Sequence, residues 1–269
     1  MLLLRAMYGP RKASQMWAEF CAKVLGDHGF RRGRASGSLY HSEALNVSLV
    51  LHGDGFMAEG ENKSLDVLDM ILESNMVVKK APRIGEGGAN SGRFLNRHIG
   101  FDGVNFTWEA DRKHVPLILE ALGLKGDAKG KPVTGSKAVG ASMPNAEDKL
   151  DVEGARLFMT VCGRMIYLAL DRPELQYAVK EAARDMSCPL ESSWAKLKAV
   201  GRYLIMFPRV VWIFAPQEMP TKFLVRNDSD WAGQHTTRKS SSCSLEFFGE
   251  HMVEASAATQ QVRALSSTE

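Results

Sequence analysis

At 269 residues the chain is long enough for about two domains. Its hydrophobic content of 45% can build cores, yet no apolar run approaches the roughly 18 residues of a membrane helix, and Arg5 follows Met1-Leu2-Leu3-Leu4 too soon for a signal peptide. With 34 Lys and Arg against 31 Asp and Glu, the net charge of +3 argues against a strongly basic nucleic-acid-binding surface, while leaving room for local clusters. Cys21, Cys162, Cys188 and Cys243 are scattered without ligand-pair spacing, and read as reduced thiols of an intracellular protein rather than disulfides or a zinc site.

Taken in chain order, Ser14 to Leu25 reads as an amphipathic helix, with Met16, Trp17, Phe20, Val24 and Leu25 on one face and Gly29 as a stop beyond it. Leu45, Val47, Leu49 and Leu51 alternate as a strand, Gly53-Asp54-Gly55 turns, and Phe56 to Ala58 leads away as a second strand. Ser64 is expected to cap a second helix with Leu65, Leu68, Ile71 and Leu72 inward. Arg83 to Gly92 is a Gly-rich loop. It lacks the Lys-Ser or Lys-Thr pair and the following helix of a phosphate loop. Phe94 to Phe101 and Val104 to Glu109 flank Asp102-Gly103, a two-residue hairpin signal, and Asp111 to Leu122 reads as a third helix closed by Gly123. The expected fold class to this point is α/β (α+β), a palm-like layer of helices on an antiparallel sheet.

Lys125 to Lys149 is rich in Gly, Lys, Ser, Ala and Pro, with little periodicity. It reads as a flexible, protease-sensitive linker and as the main domain boundary. Three helical segments follow, Val152 to Leu170, Glu174 to Met186 and Glu191 to Leu204. Short strand-like runs then return at Val210 to Phe214, Phe223 to Arg226 and Ser244 to Phe248. There is no internal repeat. None of the seven histidines pairs with acids or cysteines at metal-ligand spacing.

The hairpin around Asp54 carries the chemistry. An acid between two glycines is by itself an ordinary turn, because both residue types tolerate the dihedrals a turn needs. Its surroundings give it more weight. Upstream lies Arg5-Ala6-Met7-Tyr8-Gly9-Pro10-Arg11-Lys12-Ala13-Ser14-Gln15-Met16-Trp17, followed by His28-Gly29-Phe30 and Gly37-Ser38-Leu39-Tyr40. In order and spacing these resemble the reverse transcriptase of copia-type LTR retrotransposons, whose Pol polyprotein carries a Tyr-Gly motif, a His-Gly-Phe, a Ser-Leu-Tyr and then a hairpin with two adjacent aspartates. Gly163 to Glu174, with its Arg172-Pro173, resembles a later motif of that family, as does Trp194 through Arg202-Tyr203-Leu204. Asn227-Asp228-Ser229-Asp230-Trp231-Ala232-Gly233 and Thr237 to Ser240 resemble the opening of its tethered ribonuclease H domain, and Ala264 to Glu269 resembles that domain's second carboxylate motif.

The resemblance implies a partial reverse-transcriptase palm over 1–124, a linker over 125–149, a helical thumb or connection over 150–207 and a truncated ribonuclease H-like segment over 208–269. It implies magnesium as cofactor, an RNA template and a DNA primer as partners, and the remainder of a Pol polyprotein as a further one. Membrane association is not expected. Asp54 corresponds to one metal-binding carboxylate of the polymerase. Asp228 and Glu269 correspond to two of ribonuclease H. Tyr8-Gly9 and Arg11 correspond to the nucleotide pocket, or else to a frayed terminus without binding.

The sets are incomplete. Gly55 stands where the family has its second hairpin aspartate, and the strand bearing the first aspartate is expected to be missing upstream of Met1. Glu59 and Glu61 lie too far from the tip to substitute. One carboxylate cannot organise two hard cations in near-octahedral oxygen shells. Asp230-Trp231 reads as a turn and packing feature. The expectation is a fragment of RNA-directed DNA polymerase with tethered ribonuclease H, inactive as this chain. The alternatives are a non-catalytic nucleic-acid-binding remnant, or a translated pseudogene product without enzymatic role.

Overall fold

The computed structural model describes residues 11–124, 126–135, 149–234, 237–263 and 265–266. It is an α+β chain of helices and antiparallel sheets that divides into two units, Met1–Ala81 and Pro82–Glu269. Among the described residues, no helix is long and apolar enough to cross a membrane.

In the first unit, α1 (Arg11–Asp27) leads into β1 (Arg31–Arg32), β2 (Leu39–Ser42), β3 (Val47–His52) and β4 (Gly55–Glu59), which pair antiparallel in sequence order. Helix α2 (Asn62–Asn75) follows. Successive strand residues face opposite sides, so the alternation in β3 buries Val47, Leu49 and Leu51 together. They pack with Cys21, Val24 and Leu25 of α1 and with Leu68, Ile71 and Leu72 of α2. Helix α2 begins two residues before the expected cap. Glu61 holds the N-cap position without a side-chain hydrogen bond, so Ser64 lies inside the first turn instead of capping it.

In the second unit, β5 (Ser91–Phe94), β6 (Arg97–Phe101), β7 (Phe106–Glu109) and β8 (Val211–Phe214) form one antiparallel sheet. The stretch expected as a single strand from Phe94 to Phe101 is broken at Leu95-Asn96. Both residues have positive φ, 49° and 65°, with Phe94 paired to Arg97. That is the dihedral pattern of a tight primed hairpin turn. The Asp102-Gly103 turn is wider than a two-residue one. Phe101 pairs with Phe106, and Asp102 Oδ1 accepts from the amides of Val104 (2.9 Å) and Asn105 (2.7 Å). A carboxylate one residue into a loop gives the backbone this local alternative to the ladder.

Helices α3 (His114–Ala121), α4 (Val152–Ala169), α5 (Pro173–Ala183) and α6 (Ser193–Met206) close over one core. Asp151 caps α4 by accepting from Gly154 N at 2.7 Å, and Pro173 opens α5, where its missing N–H costs nothing. Val115, Ile118 and Leu122 of α3 share that core with Phe158, Val161 and Met165 of α4. The boundary expected at 125–149 therefore lies inside the second unit, between helices that pack together. Residues 136–148 of that stretch are outside the described residues, and the amide of Lys131 donates to Arg202 O at 3.0 Å. The last sheet has the order β11 (His251–Thr259), β10 (Ser241–Phe248), β9 (Phe223–Ser229). Gln176 of α5 donates to Ala255 O of β11 at 2.9 Å.

A buried ionic network stitches the β5–β8 sheet to the helices. Asp171, just past α4, is 7% exposed. Its carboxylate accepts from Arg97 Nε at 3.1 Å and from Trp108 Nε1 at 2.9 Å, while its carbonyl accepts from Trp212 Nε1 at 2.9 Å. Arg97 also lies over the Tyr167 ring at 5.0 Å. The neighbouring Arg172 is 1% exposed and donates to Glu174 and to Phe207 O. Glu109 accepts from Arg209 and Arg112. Burial pushes its carboxyl up, but those guanidinium bonds outweigh it and hold the group below the ordinary glutamate value.

Candidate functional site

The β3–β4 hairpin closes with His52 opposite Gly55, so Gly53-Asp54 is a two-residue turn. Gly53 has φ +60° and Asp54 is not among the positive-φ residues, the pattern of a type II′ turn with Gly first. Trp17 of α1 fixes this tip. Its Nε1 donates to Gly53 O at 2.8 Å, and its ring meets Phe56 edge-on at 6.5 Å between centroids. Asp54 is thus an exposed carboxylate on a turn held at both ends by strand pairing and from the side by an indole. Gly55, the next residue, opens β4 and offers no side-chain ligand. Glu59 ends β4 and Glu61 precedes α2, both exposed.

The other residues expected at sites lie elsewhere. Arg11 is the first residue of α1. Tyr8, Gly9 and Glu269 are outside the described residues. Asp228 is the penultimate residue of β9, exposed and opposite Cys243 of β10. Asp230 accepts from the Ser241 amide at 2.6 Å, and Arg238 stands over the Trp231 ring at 5.9 Å. Among the described residues, no three His, Cys, Asp or Glu side chains converge as a metal cluster would.

Sequence comparison supplies the family. The retrovirus-related Pol polyprotein from transposon RE1 of Arabidopsis thaliana is 25% identical over 99% of this chain. The corresponding polyprotein from transposon RE2 of the same plant is 33% identical over 109 residues, 40% of this chain. The chain belongs to the transposon Pol polyproteins. It spans 18% of the first polyprotein's length and 7% of the second's. A shorter relative, secreted RxLR effector protein 161 of Plasmopara viticola, is 31% identical over 113 residues, and the match covers 79% of its length. No protein-family model matches the chain, and no solved structure matches it.

A Pol polyprotein of this kind implies a divalent metal, and the donor set at the hairpin does not fit one. Magnesium takes about six oxygens in a near-ideal octahedron, and a catalytic pair sits about 3.5–4 Å apart between bridging carboxylates. The tip presents one carboxylate followed by a glycine.

Two features were not visible in the sequence. The indole of Trp17 reaches a carbonyl 36 residues away, which no local spacing encodes. The motif Asp171-Arg172-Pro173 is packed into the ionic network rather than placed at an open site, and its one outward sign was a proline at the start of a helix.

Proposed function

We propose that this chain is the reverse-transcriptase segment of a copia-type transposon Pol polyprotein, running into the start of its ribonuclease H domain, and that it does not itself extend a primer. The observation that carries the reading is Asp54 on the tip of a two-residue turn with Gly55 beside it. The hairpin is built as a metal-gripping hairpin is built, and lacks the second ligand. The order of the motifs from Trp17 through Arg172-Pro173 to Asp228 supports the copia-type assignment. By the same reading, its partners are an RNA template, a DNA primer and the remainder of the polyprotein. The scattered cysteines support an intracellular compartment.

The test is primer extension on an RNA template with magnesium or manganese, using the purified chain beside Asp54→Ala. The expected result is no extension by either. Extension that disappears in Asp54→Ala would contradict the reading. Gly55→Asp alone is expected to stay silent, because it restores only the hairpin pair and not the aspartate that the family carries on a separate strand. A hairpin kept in shape without its ligands also fits a non-catalytic nucleic-acid-binding remnant. Steep salt dependence of binding to an RNA–DNA hybrid would favour that role over a chain with no selected function.

A further inference from the structure

Helix α5 is buried on two sides by different chemistry. Leu175, Val179 and Ala182 enter the apolar core of the helices. Gln176 and Lys180, with Arg184 at the C-cap, recur every four residues, a spacing that puts them on one face. That face meets the last sheet. Gln176 donates to Ala255 O at 2.9 Å, Lys180 Nζ to Ser241 Oγ, and Arg184 Nη2 to Thr259 Oγ1 at 2.5 Å. Ser241 and Thr259 stand opposite each other on β10 and β11, so their side chains share a face of the sheet. Among the described residues, β9, β10 and β11 add no side chain to the core of the helices. The seam between α5 and the sheet is therefore polar, and relative motion is the default where an interface is not large and hydrophobic. One donor in the seam goes unused. Arg184 Nη1 is buried without a hydrogen-bond partner among the described residues. An unpaired buried donor raises the free energy of the closed arrangement, and water satisfies it once the seam opens.

The other end of the β10–β11 hairpin is clipped by Gln217, in the connector after β8. Gln217 donates to Phe248 O at 3.1 Å and accepts from the Glu250 amide at 3.0 Å. Between Phe214, the last residue of β8, and this clip lie only Ala215 and Pro216. We propose that the last sheet swings away from α5 as one body, pivoting at Ala215-Pro216, with Gln176, Lys180 and Arg184 as the polar latch that holds it closed. The strand pairing within the sheet, the Gln217 clip and the helical core all survive the motion. The three latch bonds are what it exchanges for water. Asp228 on β9 travels with the sheet, so opening changes where its carboxylate stands relative to the helices.

Cys243 is a native reporter of the seam. It is half-buried and lies two residues along β10 from Ser241, on the same face. Cys162, inside the helical core, reports on the helices. The full chain is exposed to N-ethylmaleimide under native conditions, and labelling of each thiol is followed by mass spectrometry. The rate at a protected thiol scales with the population of the form that exposes it. Thr259→Val and Ser241→Ala each remove one acceptor of the latch. Each should speed labelling of Cys243 by roughly 2- to 10-fold, the equivalent of one hydrogen bond, and leave Cys162 at the parent rate. The double variant should exceed either single one. Ser256→Ala, on the opposite face of β11, should change neither thiol. Labelling of Cys243 at the parent rate in both latch variants would overturn the proposal. So would Cys162 accelerating in step with Cys243, since sheet and helices would then open together.

Discussion

Among the described residues, the first unit closes over Cys21, Val24, Leu25, Leu49 and Leu72 with no charged side chain buried, whereas the second buries Asp171, Arg172, Glu109 and Asp111 beside its apolar core. An apolar core is held by area and shape, so its elements need only present the right periodicity. A buried ion pair is held by geometry, and losing one partner leaves the other uncompensated in a low-dielectric interior. The two units should therefore fail in different ways.

The largest difference is expected at Asp171. Asp171→Ala strands Arg97 and the Trp108 N–H, and should cost about 3–5 kcal/mol, the range for breaking a buried pair. Chemical denaturation measures the loss. Hydrogen exchange should place it in 82–266, with faster exchange in α4 and β6 and little change in β3. Equal acceleration in both units would erase the contrast. Leu49→Ala is the counterpart in the first unit. It leaves a cavity between β3 and both helices, and should cost about 2–5 kcal/mol with the opposite exchange pattern.

Acid should separate the units next. Burial lowers the imidazole pKa of both His98 and His114 in the second unit, with nearby arginines adding to the effect. A group depressed in the fold binds its proton more readily when unfolded. Stability is therefore intact above the ordinary histidine value of about 6.5 and falls as pH drops through the folded values. Glu109 and Asp111, also depressed, extend the loss further into acid. A thermal melt followed from pH 8 to pH 4 should show 82–266 losing stability first. The smallest effect is expected at the tip, where Trp17→Phe removes one partly exposed hydrogen bond to Gly53 O and should cost about 0.5–1.5 kcal/mol.

The same contrast explains what could be read from the sequence. The alternation Val47, Leu49, Leu51 and the helical spacing through Phe158, Cys162 and Met165 were legible, because burial of one face leaves a local period. The tip at Asp54 was legible because Gly-Asp-Gly is turn chemistry. The ionic network was not, since Arg97 and Asp171 lie 74 residues apart and Glu109 and Arg209 lie 100 apart. Strand β11 was missed because three of the nine residues of His251–Thr259 are alanine, a poor strand former, and it becomes a strand through pairing with β10 and contact with α5. The division at 81/82 was missed because the Pro- and Gly-rich stretch at 125–149 draws attention away from it, although the helices on either side of that stretch share a core.

In the proposed function the Asp54 hairpin is a shaped turn without a metal-binding ligand set. Titration of the chain with Mn2+, followed by electron paramagnetic resonance of the free ion and repeated with Asp54→Ala, tests it directly. The predicted result is that the two proteins bind Mn2+ indistinguishably and weakly. A tight site present in the parent chain and lost in Asp54→Ala would contradict it.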